Sequence, residues 1–324
     1  MAFETASKTT SNPPRRHHYI PEFYQRNWAG SDRQVERYEW INGSIIRRRV
    51  FPKAAGFREN MYRHPRTAMD EWTAQALEWA IFAKIDDAAA KALQAMLSDT
   101  KSLNDDDVRR PWSVFLRGML LRTPYQMEGM LASLESIWRN TSISEKYEKI
   151  RKLGMPDTAT EYLESLHPNI ARDSAFQMFA DAQTEDSTTR HIMRLPWRIF
   201  DCSAADHRLI LSDHPVALVP LATEDGHIAM PLSPTKFLVV ATSDRTKAIA
   251  NSLKPKLAVR ILNKLAVQRA RHCVIATDRT QERYILKHFG AEPVPPFLAG
   301  GLAFVKGKKF SDFQPEHTPS EVET

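Results

Sequence analysis

The chain has 324 residues, of which 42% are hydrophobic and 26% charged, a composition typical of globular proteins that excludes an intrinsically disordered or fibrous one. Its formal net charge of +6 permits attraction to phosphate but is too small to identify a nucleic-acid-binding protein. Cys202 and Cys273 have no ligand spacing, and no apolar stretch suits a signal peptide or a membrane span, so we expect a cytoplasmic protein without a disulfide framework or a membrane partner.

The chain divides by composition into an N-terminal arm, one large domain and a C-terminal tail. The first 14 residues are rich in Ser, Thr and Pro, so we expect them to form a disordered arm. The large domain and the loose acidic tail are predicted over residues 15–300 and 311–324. Within the domain we expect three regions: the N-terminal block and a hairpin over 15–68, a helical region over 69–195, and an α/β region over 196–300.

A β-hairpin is predicted near the N-terminus. Residues 35–40 and 44–50 are rich in β-branched and aromatic side chains, and the dipeptide Asn42-Gly43 lies between them. Both turn residues tolerate positive φ, which makes Asn-Gly the strongest short-range signal for a two-residue hairpin loop.

The middle of the chain shows helical periodicity. Trp72, Ala76, Trp79 and Ala83 recur at spacings of four, three and four, so we expect a helix over residues 69–97 with these side chains in the core. Asn104 or an adjacent Asp should cap a helix that ends near Arg122, and further helices are predicted at 125–139, 145–153, 159–166 and 169–182.

The C-terminal half alternates short apolar runs with turn residues. Runs at 209–211, 216–219, 237–240 and 273–276 read as strands, and residues 255–271 and 280–289 read as helices. We therefore predict an α+β fold, with an N-terminal hairpin, a helical middle and a C-terminal half built on a small mixed sheet flanked by helices.

Residues 17–28, which we call the N-terminal block, read His-His-Tyr-Ile-Pro-Glu-Phe-Tyr-Gln-Arg-Asn-Trp. This block resembles the opening His-Tyr-Val/Ile-Pro-x-x-Tyr-Leu-x-x-Phe of a bacterial family, the domain of unknown function 4238. Ser-Asp-x-Pro at 212–215, Pro-Leu-Ser-Pro at 231–234 and Asn263 extend the resemblance over most of the chain. His18, Tyr19, Pro21 and Tyr24 match the family pattern, whereas Gln25 and Trp28 depart from it. The resemblance implies no established activity.

The N-terminal block supplies the first candidate site residues. His18 is suited to act as a general base, a metal ligand or a hydrogen-bond donor to phosphate. The alternative is a structural histidine held by one hydrogen bond. His17 is the weaker candidate, because adjacent side chains diverge. Tyr19 and Tyr24 are candidate binding or positioning residues, and we expect both to be largely buried.

Carboxylates supply the remaining catalytic candidates. Glu71, Gln75 and Glu78 share one face of the predicted helix, with the two carboxylates about 10 Å apart along its axis, which suits a metal–water site or a solvated face. Asp213 follows a predicted buried strand, where rigid scaffolds present catalytic groups, although Asp two residues before Pro also commonly caps a turn through its own backbone.

Three further residues are candidates for binding or positioning. Ser212 precedes Asp213, and Ser233 lies between prolines in what could equally be a stiff turn. Asn263 falls within an apolar helical pattern, where a buried amide must be hydrogen-bonded, and it could orient a loop such as 212–215.

Two functions are weighed. One is a metal-assisted phosphodiester hydrolase, a nuclease in a conflict or phage-defence setting, that uses His18, Asp213, Glu71 and Glu78, with Mg²⁺ or Mn²⁺ held among the three carboxylates. The other is a non-catalytic binding or regulatory protein that meets nucleic acid or a protein partner through its basic N-terminal surface. Residues 1–60 contain 11 Lys/Arg against 6 Asp/Glu, a net of +5, including Arg47 and Arg48. Convergence of the catalytic candidates in one pocket would favour the nuclease, and their separation would favour binding.

Overall fold

A computed structural model describes residues 13–65, 69–140, 144–184 and 186–292 of the chain. The predicted arm falls almost entirely outside these ranges, as does the predicted acidic tail. Within them, helices and small antiparallel sheets confirm the α+β class. No helix in the described ranges is long and apolar enough to cross a membrane.

The described strands form three sheets, in which every pairing is antiparallel rather than mixed as predicted. Their orders are β1-β4, β3-β2-β10-β6 and β5-β9-β8-β7. The second sheet joins the N-terminal hairpin to the C-terminal half of the chain. The strands are β1 (Arg16–His18), β2 (Val35–Ile41), β3 (Ser44–Val50), β4 (Phe57–Glu59), β5 (Trp197–Asp201), β6 (Leu211–Ser212), β7 (Ala217–Val219), β8 (His227–Ser233), β9 (Lys236–Ala241) and β10 (Cys273–Ala276).

The helices fill the middle of the chain and flank the C-terminal strands. They are α1 (Glu22–Gln25), α2 (Glu71–Ala74), α3 (Ala83–Ser98), α4 (Asp106–Leu121), α5 (Pro124–Asn140), α6 (Ser144–Ile150), α7 (Ala159–Leu166), α8 (Ile170–Ala182), α9 (Ser187–Arg194), α10 (Asp244–Ser252), α11 (Pro255–Gln268) and α12 (Glu282–His288). Asp105 caps α4 by accepting the backbone N–H of Asp107, so the predicted acidic cap is confirmed.

The predicted hairpin is confirmed in both strands and loop. Strands β2 and β3 pair from Val35 opposite Val50 to Ile41 opposite Ser44. Asn42 and Gly43 adopt positive φ values of 48° and 82°, which is the geometry of the turn that their sequence favours.

The predicted helix over residues 69–97 is interrupted, and its expected core stripe is wrong. The chain leaves the α conformation at Gln75 and forms a π-helix over Leu77–Phe82 before α3 begins. A π-turn adds a residue and shifts the helical phase. Trp72 and Trp79 are consequently only half-buried and Ala83 is exposed, while buried positions of this segment include Ala74, Gln75, Leu77 and Phe82.

The N-terminal block lies in the main hydrophobic core. Tyr24 and Trp28 are fully buried and pack edge-to-face with ring centroids 5.3 Å apart. The Tyr24 hydroxyl donates to the Pro231 carbonyl, and Trp28 Nε1 donates to the Leu209 carbonyl at 2.7 Å. With Tyr19 only 3% exposed, the predicted burial of both tyrosines is confirmed.

The C-terminal strands agree only in part with the prediction. Strand β10 has the expected bounds, whereas residues 209–211 contribute to β6 only through Leu211. Strand β8 was missed because it contains Pro231, and the pairing of β8 with β9 is irregular between Pro231 and Ser233, where proline cannot donate to the ladder.

Candidate functional site

Asn263 ties together three segments at one side of the C-terminal half. The apolar face of α11 is buried through residues such as Val259 and Leu262, which carries Asn263 inward to 4% exposure. Its Oδ1 accepts the backbone N–H of Ile210 at 2.9 Å. Its Nδ2 donates to the Arg208 carbonyl at 2.8 Å and to Gln281 Oε1 at 2.9 Å. Asn263 thus holds residues 208–210 and Gln281 by hydrogen bonds, and the loop 212–215 that the sequence suggested is not among its hydrogen-bond partners.

A cavity of about 660 Å³ opens beside Asn263, between the 205–207 loop, the first half of α11 and the start of α12. We call it the Asn263 cavity. Basic side chains surround it, and the described residues include no ion-pair partner for Lys254, Arg260 or Arg283, all three of which are exposed. Lys256 also lines it and bonds to Asp206 at 2.6 Å. The cavity therefore presents unneutralised positive charge beside apolar walls that include Leu257 and Tyr284.

A second cluster of charges surrounds the buried Arg122 side chain beside the N-terminal block. The Arg122 guanidinium makes a bidentate pair with the Asp86 carboxylate at 2.7 and 3.0 Å and donates to the His18 carbonyl at 2.7 Å. It also lies 4.9 Å from the Phe82 ring centroid. We call Arg122, Asp86, Glu78 and His18 the Arg122 cluster.

The Arg122 cluster holds two carboxylates against one guanidinium. Because burial disfavours the charged form, the pKa of Glu78 is raised to about 7 and that of Asp86 is raised as well. The pKa of His18 is lowered by burial, and its Nε2 is buried without a hydrogen-bond partner among the described residues. Of this cluster, Glu78 is therefore the carboxyl that exchanges a proton near neutral pH.

Glu78→Gln is expected to remove a pH dependence of stability. A carboxyl whose folded pKa is raised stabilises the fold below its usual pKa and loses that contribution as pH rises toward 7. The variant should therefore gain stability relative to wild type between about pH 5 and pH 8, by up to about 3 kcal/mol. Urea unfolding across that range measures the difference.

Glu71→Gln is the matched control for Glu78→Gln. The Glu71 carboxylate is exposed and its pKa is lowered, first by the hydrogen bond from Arg63, so it stays ionised across the same range and its stability difference should be flat. A stability difference for Glu78→Gln that is equally flat with pH would contradict the account of the Arg122 cluster.

Asp213 acts as a cap for the turn that leads into β10. Its carboxylate accepts the backbone N–H of His272 at 2.7 Å and that of Arg271 at 3.1 Å, and it is only 4% exposed. Burial raises its pKa to about 6 against the opposing effect of these hydrogen bonds. The turn that Asp213 caps is the distant one at 271–272, whereas the local turn before Pro215 is held by Ser212.

His17, the weaker histidine candidate, is fully buried and hydrogen-bonded. Its Nδ1 accepts the backbone N–H of Tyr62 at 2.8 Å, and its Nε2 lies 2.8 Å from Gln75 Oε1. Glu71, by contrast, lies at the surface beside Arg63, 2.7 Å away. Gln75 Nε2 donates to Glu71 at 3.3 Å, so these two side chains stay together, whereas Glu78 belongs to the Arg122 cluster.

The serine candidates stabilise turns. Ser212 Oγ accepts the backbone N–H of His214 at 3.0 Å, and Ser233 Oγ accepts that of Lys236 at 3.1 Å in the turn between β8 and β9. The Tyr24 hydroxyl likewise holds β8 by its hydrogen bond to the Pro231 carbonyl. Tyr19 instead lines a shallow cleft of about 190 Å³ together with Glu39 and His272.

Salt bridges reduce the positive charge of the arginine run in β3. Arg47 pairs with Glu36 at 2.9 Å and with Glu282 at 3.3 Å. Arg49 pairs with Asp32 at 2.6 Å and with Glu36 at 3.1 Å. Only Arg48 of the run lacks an ion pair among the described residues.

The four catalytic candidates make three separate sets of contacts. His18 and Glu78 belong to the Arg122 cluster, Glu71 binds Arg63, and Asp213 caps the turn before β10. None of them lines the Asn263 cavity. Within the described ranges, no three His, Cys, Asp or Glu side chains are grouped so that they could hold a metal ion.

Sequence reasoning missed the residues that define both sites. Asp86 and Arg122 pair across 36 positions, and no local pattern marks such a partnership. Arg260 and Arg283 lie on the outer faces of two helices, where basic residues are ordinary. The sequence offered one signal, the amide of Asn263 in an apolar helix. It indicated a hydrogen-bonded side chain but not the cavity beside it.

Comparison with known proteins gives one match. A family model described as "Protein of unknown function (DUF4238)" matches residues 16–280. Searches of the curated proteins and of the solved structures found no match.

Proposed function

This chain belongs to the DUF4238 family of proteins of unknown function, as its N-terminal block suggested, and we propose that it is a non-catalytic protein that binds a phosphate-bearing anion in the Asn263 cavity. The observation that carries the proposal is the position of Lys254, Arg260 and Arg283 around one concave site without ion-pair partners among the described residues. Clefts lined by charge of one sign attract counter-ions, and a guanidinium matches the geometry of phosphate.

The proposal moves the basic binding surface away from the N-terminal arginines. Arg47 and Arg49 are engaged by Glu36, whereas Lys254, Arg260 and Arg283 of the Asn263 cavity are available to a ligand. The cytoplasm, where phosphate-bearing metabolites and nucleic acids are abundant, is the compartment that the proposal assumes.

The contacts of the catalytic candidates favour binding of a phosphate-bearing ligand over its hydrolysis. A metal-assisted nuclease needs carboxylates and a proton-transfer group around one reacting phosphate. Here Glu71 and Asp213 have other partners, and His18 and Glu78 belong to the half-buried Arg122 cluster. Conflict or phage defence stays a hypothesis about setting, in which the protein would bind its ligand rather than cleave it.

Titration calorimetry with tripolyphosphate at low ionic strength tests the proposal. We expect saturable binding that weakens with added salt, because exposed cations carry it. Arg260→Glu/Arg283→Glu should raise Kd at least about hundredfold, since each lost charge-assisted contact costs about tenfold or more.

The control is Lys264→Glu/Lys287→Glu, which makes the same charge change one turn further along the same two helices and outside the cavity lining. It should change Kd only slightly. If both double variants lose the same affinity for tripolyphosphate, the loss reflects net charge alone, which would contradict a defined site. Metal-dependent cleavage of RNA or DNA that His18→Ala abolishes would favour the nuclease instead.

A further inference from the structure

The size of the Asn263 cavity bears on the nature of its ligand. Small-molecule and cofactor sites typically occupy about 300–1,000 Å³, and the cavity of about 660 Å³ lies within that range. A phosphate group bound by Arg260 and Arg283 would leave much of this volume unfilled. The ligand should therefore carry a larger group beside its phosphates.

The walls of the cavity combine an aromatic ring with a free amide edge. Tyr284 lines the cavity, is half-buried, and has the His288 ring 4.8 Å away, so its orientation is supported by packing. Gln281 donates one Nε2 proton to the Arg208 carbonyl and accepts from Asn263. By the bonding capacity of an amide, Gln281 keeps one N–H and one Oε1 lone pair for a ligand.

We propose that the ligand is a nucleotide, with its phosphates on Arg260, Arg283 and Lys254 and its base against Tyr284 and the Gln281 amide; this inference rests on the proposed function. A planar heterocycle suits an aromatic wall because every base has a π-face, and its edge suits an amide that is both donor and acceptor. Three unpaired cations match the charge of a nucleoside di- or triphosphate.

The test compares the four ribonucleoside triphosphates with tripolyphosphate by titration calorimetry in metal-free buffer. The tightest nucleotide should bind at least about tenfold more tightly than tripolyphosphate, which is the size of effect expected of base stacking. Tyr284→Ala should remove that advantage while leaving the Kd of tripolyphosphate within about twofold, and Tyr284→Phe should retain it.

Leu286→Ala is the matched control, because Leu286 lies on the same helix, is 45% exposed and does not line the cavity. If tripolyphosphate binds and no nucleotide binds more tightly, the nucleotide inference fails while the proposed function stands. If neither binds, both fail. Binding of an oligonucleotide without binding of mononucleotides would assign the site to nucleic acid and overturn the inference.

Discussion

Arg122→Met is expected to lower the free energy of unfolding by about 3 kcal/mol at neutral pH, because it leaves the half-buried Asp86 carboxylate without its counter-ion. The Arg122 side chain is only 1% exposed and holds Asp86 by two hydrogen bonds. Methionine fills a similar volume, so the loss reports the missing charge and its hydrogen bonds, including the one to the His18 carbonyl, rather than a cavity. Urea unfolding monitored by circular dichroism gives the change.

Two further variants define the origin of this loss. Arg26→Met removes an exposed guanidinium that pairs with Glu22 and should cost at most about 1 kcal/mol. Arg122→Met/Asp86→Leu removes both charges of the buried pair and should be more stable than Arg122→Met alone. A double variant that is less stable than the single one would contradict the assignment of the loss to an uncompensated Asp86 charge.

Asp213→Ala is expected to cost about 2–3 kcal/mol of stability, since it leaves the backbone N–H groups of Arg271 and His272 without their acceptor. Asp213→Asn keeps one acceptor oxygen and should cost about half as much or less. Neither change should alter the Kd of tripolyphosphate, because Asp213 does not line the Asn263 cavity.

Asp201→Ala is the exposed counterpart of Asp213→Ala. Asp201 accepts the backbone N–H of Ser203 at 2.7 Å in a solvent-exposed turn, so its loss should cost less than about 1 kcal/mol. Loss of ligand binding in Asp213→Asn without loss of stability would return Asp213 to the functional residues.

Local patterns predicted the features that local physics determines. Asn42-Gly43 determined the hairpin loop, and the apolar run Cys273–Ala276 identified a buried strand. The hairpin register also predicts a salt bridge that the sequence analysis did not use. A two-residue loop at Asn42-Gly43 places Arg49 opposite Glu36, which indicates that part of the arginine run is neutralised.

The failures arise where distant segments or irregular backbone decide the outcome. The π-turn after Gln75 moved Trp72 and Trp79 out of the core, and no residue type in that segment marks such a turn. The Asn263 cavity forms where the 205–207 loop, α11 and α12 meet. Arg283 lies more than 20 positions from Lys254 and Arg260, so their common site depends on the packing of helices that periodicity alone does not orient.

A crystal structure of the protein with bound tripolyphosphate would locate the anion itself. The proposed function predicts anion oxygens within hydrogen-bond distance of the Arg260 and Arg283 guanidinium groups, beside Asn263 and with Asn263's own hydrogen bonds intact. An anion bound instead at Arg48 or among the residues of the Arg122 cluster, with the Asn263 cavity empty at saturating tripolyphosphate, would contradict it.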